Sequence, residues 1–136
     1  MKAKSLLMLP LSGLVALLCA CAGPMPKADP NEAWIGLQEE PSATLMAQSL
    51  DGKRLDDGRY FDVKPGSHTL DLNLIVEGNG DDNPINCETG ITFSSFKAGQ
   101  HYTLIESSIG EEYRVKLEDA QGKQLGHSHD FTCMPG

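Results

Sequence analysis

From His68 to Glu77 the chain alternates, with Leu70, Leu72, Leu74 and Val76 on one parity and Thr69, Asp71, Asn73 and Glu77 on the other. A period of two held this long is a strand with one buried and one wet face, and no helix accommodates it. Pro65-Gly66 just before it is a turn signal, proline setting φ and glycine allowing a positive φ. Upstream, Asp51-Gly52 separates Ala43–Leu50 from Lys53–Leu55 as a hairpin turn would, and Tyr60–Val63 reads as a further short strand. Downstream, Ile91 and Phe93 keep the alternation while Phe96 breaks it, which predicts a bulge or strand end near Ser95. His101–Glu106 follows the Ala98-Gly99 turn. Tyr113, Val115 and Leu117 alternate with Arg114, Lys116 and Glu118, and after Ala120–Lys123 a last strand is expected from Gln124 to about Cys133. Trp34 and Ile35 are expected to begin the first strand and plug one end of the core. No window of ten residues beyond the N-terminal segment holds helical spacing. The fold class expected is all-β: a single antiparallel β-sandwich, immunoglobulin-like or prealbumin-like, of seven or eight short strands.

The N-terminus belongs to a different regime. Lys2 and Lys4 precede an apolar run from Leu6 to Leu18 of secretory length, too short for a comfortable bilayer span of about 20 residues. It closes on Leu18-Cys19-Ala20-Cys21, which resembles the lipobox of bacterial lipoproteins: Leu, any residue, a small residue, Cys. The resemblance implies a signal peptide over 1–20 and lipidation of Cys21, with palmitate-type acyl chains. Cys19 does not fit the pattern, because Leu18 precedes it directly. Two or three chains anchor firmly where one would not, each buried methylene contributing about 0.8 kcal/mol. Ala22 stands where enteric inner-membrane lipoproteins carry Asp, so the same resemblance implies the outer membrane with the domain facing the periplasm, or the surface of a Gram-positive cell. Residues 21–32, with Pro24, Pro26 and Pro30, read as a flexible tether, and 33–136 as the one domain.

The whole chain carries a formal net charge of -8. Removing residues 1–20 takes away Lys2 and Lys4 and no acid, leaving 9 basic and 19 acidic side chains and a charge of -10. That surface repels phosphate backbones, so nucleic acid is excluded as a partner. Contact with the membrane is expected through the lipid alone.

Gly58–Leu72, with its Pro65-Gly66-Ser67-His68 turn, and Cys87 through Phe96-Lys97-Ala98-Gly99-Gln100-His101-Tyr102 resemble small β-sandwich domains of uncharacterised proteobacterial lipoproteins. The Pro-Gly turn feeding a strand also resembles PEGA-type surface domains. The likeness spans 43–133 and rests on turn and core residues, so it implies the fold and no catalytic role.

Cys87 and Cys133 are the cysteines left after Cys21, and an even pair in an oxidising compartment most simply forms one disulfide. A redox pair or metal thiolates are the alternatives. His127-Ser128-His129-Asp130 is the most interesting polar cluster: on a strand, His127 and His129 share a face and offer two imidazoles to Zn²⁺ or Cu²⁺, with His68 or His101 as a third ligand. The same parity as Leu125, Phe131 and Cys133 equally suits semi-buried packing. Glu77–Asn83 is rich in oxygen ligands but lacks the residue order of a calcium loop. The chain holds no Gly-x-Ser-x-Gly elbow, His-Glu-x-x-His or phosphate loop. The sequence thus leads to a lipid-anchored, non-enzymatic interaction or accessory module of the cell envelope, with an envelope protein as partner and no cofactor. Metal or small-ligand binding through His127/His129 is the second reading, and a minor hydrolase a distant third.

Overall fold

A computed structural model describes residues 23–78 and 83–135; the leader, Cys19 and Cys21 lie outside them. The described residues form ten strands: β1 (Ala33–Gln38), β2 (Ala43–Leu50), β3 (Lys53–Arg54), β4 (Tyr60–Val63), β5 (Gly66–Val76), β6 (Ile85–Phe96), β7 (His101–Ile109), β8 (Glu112–Asp119), β9 (Gln124–His127) and β10 (Thr132–Pro135). They make two five-stranded sheets, β4-β1-β7-β8-β9 and β10-β6-β5-β2-β3, packed in a sandwich-like arrangement. Gly23 to Glu32, the described part of the tether, forms neither strand nor helix.

The alternation read from the sequence is the packing pattern. Leu70, Leu72 and Leu74 of β5 are fully buried, facing Ile35, Leu104 and Leu117 of the other sheet within one core cluster. Asp51 and Gly52 both take positive φ, 50° and 84°, as a tight hairpin turn requires. The parity break before Phe96 is a bulge: Gly66 pairs with Phe96 but His68 with Phe93, so one residue of β5 opposes two of β6. Phe96 thereby turns inward and is 2% exposed.

Four expectations are corrected. Among the described residues there are ten strands, not seven or eight, and the pairing is not wholly antiparallel, because β1 runs parallel to β7. Between those two the chain visits the opposite sheet twice, as β2–β3 and as β5–β6, with β4 back on their own sheet in between. The single last strand from Gln124 to Cys133 is two, β9 on one sheet and β10 on the other. Ser128–Asp130 cross between the sheets, since the Ser128 N–H bonds Val115 O at 2.8 Å and the His129 N–H bonds Gly90 O at 3.0 Å. Finally, only Ile35 enters the core. Trp34 has outward parity and lies half-buried on the outer face of its sheet, stacked on Tyr60 at 4.4 Å between centroids. Tyr60 pairs with Gly36, the next outward position of β1 after Trp34. We expect Trp34→Ala to lower stability by about 1–2 kcal/mol, the range for a cross-strand aromatic pair plus its buried area, measured by urea denaturation followed by circular dichroism.

Candidate functional site, a groove beside the last strand

Where the chain crosses from β9 to β10, the two sheets leave an open seam. β10 is the edge strand of its sheet, and across the seam stands β8. The resulting groove has two lobes, of about 720 and 710 Å³, and Glu111, Tyr113 and Cys133 line both. Either volume lies in the range of small-ligand sites, roughly 300–1,000 Å³.

Cys133 is fixed by a disulfide to Cys87, directly opposite it on β6. Cys87 is fully buried and Cys133 exposed, so the bond ties the groove's rim to the core. Tyr113, which lines both lobes, packs edge-on against Phe131 of the first, 6.2 Å between centroids.

The first lobe contains the histidine pair. His127 ends β9, paired with Lys116, whereas His129 belongs to the crossing and is held to β6 by its N–H to Gly90 and by the Thr89 hydroxyl, which donates to His129 O at 2.7 Å. They are therefore not alternate residues of one strand, because Ser128 bonds Val115 and the strand stops there. Both imidazoles are exposed. His68 sits elsewhere, with Nδ1 2.6 Å from Asp51 Oδ2 and Nε2 2.6 Å from Lys64 O, and His101 pairs with Trp34 at the start of β7. Among the described residues no group of three or more His, Cys, Asp or Glu is placed to hold a metal ion.

The second lobe has a feature the sequence reading passed over. Tyr102, Leu104 and Glu106 share the inward parity of β7, and Glu106 is 3% exposed. Its Oε1 takes a long bond of 3.4 Å from the Glu40 N–H, and its Oε2 has no partner among the described residues. Burial pushes the carboxyl above its usual range, and the Glu40 and Glu39 charges add to this. Glu40, just after β1, is held in place by Ser108, whose N–H and hydroxyl donate to its two oxygens at 2.8 and 2.9 Å. The parity was the available signal: an acid in line with Tyr102 and Leu104 is an acid aimed between the sheets. Of the Glu77–Asn83 loop, Gly78 and Asn83 border this lobe, and 79–82 lie outside the described residues.

A second acidic group lies on the outer face of the same sheet. Asp62, opposite Trp34 on β4, has a buried Oδ1 without a partner among the described residues. Burial, a carboxyl–carboxyl hydrogen bond to Glu32, and the charges of Glu32 and Asp29 push it up to about 6. No protein-family model, curated protein or solved structure matches the chain.

Proposed function

We propose that the protein is a lipid-anchored, non-enzymatic binding module of the bacterial envelope, probing its surroundings from the outer membrane on the periplasmic side and engaging an envelope protein through the β8–β10 groove. The scaffold is then an immunoglobulin-like or prealbumin-like sandwich, a reading favoured by two five-stranded sheets around one core. One observation carries the functional reading: a two-lobed groove of small-ligand dimensions whose rim strand is locked to the core by a disulfide. A rigid cleft binds with little ordering cost, and a lipid tether holds it near other envelope proteins. The partner's groove-facing segment is basic, because the groove's second lobe carries Glu40, Glu77, Glu106 and Glu111 and, among the described residues, no Lys, Arg or His.

Two measurements test this. Cys21→Ser should abolish lipid labelling and release the chain from the membrane fraction; unchanged labelling would place the lipid on another residue. A photo-crosslinking residue at Tyr113 should capture a discrete envelope protein in living cells, while the same residue at Thr103, on the outer face of β7, should not. Equal capture from both positions sinks the groove as the binding surface.

A further inference from the structure

Glu106 is an unusual residue to find between two sheets. A buried carboxylate normally has a cationic or hydrogen-bonding partner, since an unpaired buried charge is costly. Here one oxygen receives a single long bond and the other none, while the side chain is 3% exposed and borders an open lobe of about 710 Å³. Nothing in the packing of the free protein requires an acid there. Leu104, one inward position earlier on the same strand, is an apolar residue with 0% exposure. A leucine at 106 would extend the core without a polar atom to satisfy.

The chemistry around the orphaned oxygen defines what would complete it. Glu40 stands beside it with its carboxylate fixed by Ser108. Glu77 and Glu111 lie further out on the rim, and the lobe's described lining has no basic side chain. Val76, Ile85 and Met134 supply apolar wall on the opposite sheet, and Met134 is 61% exposed. The missing group must donate hydrogen bonds, carry positive charge and be followed by a short apolar stem. A bare divalent cation fits poorly, since no three ligating side chains converge among the described residues.

We propose that the second lobe is a recognition site for an alkyl-guanidinium or alkyl-ammonium group, which donates to the free Oε2 of Glu106 and to Glu40 while its methylenes lie along Val76, Ile85 and Met134. This deepens the groove reading and rests on it: within a protein partner the group is an arginine or lysine side chain, and the same chemistry in a free metabolite is an alkylamine. Arginine has the better geometry, because its planar fork can satisfy two carboxylates at once.

The test is calorimetric titration of the mature lipidated chain in a non-ionic detergent at about 0.15 M salt, which screens diffuse attraction to the acidic surface. The probes are n-butylguanidine and the blocked tripeptide acetyl-glycyl-arginyl-glycinamide. Binding to the wild type is expected, and Glu106→Gln should weaken it by about 30-fold or more, since one member of a desolvated charge pair is lost. Glu106→Leu should abolish binding while melting no lower than the wild type, which separates loss of the site from loss of the fold. A tighter grip on the tripeptide supports a protein source. Binding of n-butylguanidine alone would keep the cation site and overturn the protein-partner reading. Absence of binding up to about 10 mM of both probes, or equal binding by wild type and Glu106→Gln, overturns the site itself.

Discussion

Replacing Cys87 and Cys133 together by alanine should lower the stability of the domain by about 4 kcal/mol and release β10 from its sheet. The magnitude follows from the chain-entropy model for a cross-link between residues 46 apart in sequence. Alanine is the right replacement, because a serine at the fully buried position 87 would add an unsatisfied hydroxyl and confuse the two effects. Local structure makes the loss uneven. β10 has one neighbour, β6, and four paired positions with it, and Thr132, Cys133 and Met134 are all exposed. Little apolar burial holds this strand, so the covalent bond supplies most of what keeps it docked. Urea denaturation should show the midpoint falling, and hydrogen exchange should show protection lost first at Thr132–Met134. The groove should fail with it, since Cys133 lines both lobes. An unchanged midpoint would mean that β10 is held by its backbone ladder alone. In the oxidised protein neither thiol should react with a labelling reagent; both should after reduction and unfolding.

Much of this architecture was legible in the residues, and its gaps have physical causes. Alternation located the strands because one face of each is buried, so Leu70, Leu72 and Leu74 announced the core directly. The Asp51-Gly52 turn and the bulge before Phe96 were readable because each depends on local backbone geometry. What the sequence hid was decided at long range. The break between β9 and β10 arises from bonds of Ser128 and His129 to Val115 and Gly90, which no pattern within Gln124–Cys133 encodes. Trp34 looked like core because it is large and apolar, yet parity with buried Ala33 and Ile35 assigned it outward, where Tyr60 covers it. The histidine pair drew notice by composition, and the structure places its members on separate hydrogen-bonding frameworks. Glu106 drew none, since a single acid at the end of a strand resembles a solvated end. The orphaned oxygen shows only when the cleft's walls are in place.

The same buried acids should make the protein most stable in mildly acidic solution, an inversion of the usual behaviour of an acidic chain. Asp62 is raised to about 6, and Glu106 is raised as well. A carboxyl whose folded pKa lies above its unfolded value keeps a proton in the native state that the unfolded chain has already released. Over that window the native state binds more protons, so stability falls as pH rises. The contribution is fully present below about pH 4 and is lost by the time pH has climbed through about 6. For Asp62, half-buried and beside Glu32, solvent screening reduces the loss to about 1 kcal/mol. Glu106 acts in the same direction. Two surface acids act oppositely: Asp51, lowered mainly by its hydrogen bond with His68, and Asp57, lowered mainly by its hydrogen bond with Arg59, lose their stabilising contacts when protonated. Their contribution disappears as pH falls below about 4. Stability should therefore peak near pH 5 and decline toward pH 7. Melting temperatures between about pH 4 and 8 would trace this curve, and Asp62→Asn should flatten its neutral limb, because an amide keeps the shape and removes the titration. A wild-type curve that rises steadily from pH 5 to 7 would show that Asp62 and Glu106 are ionised throughout, and that a cation or a donor already neutralises them.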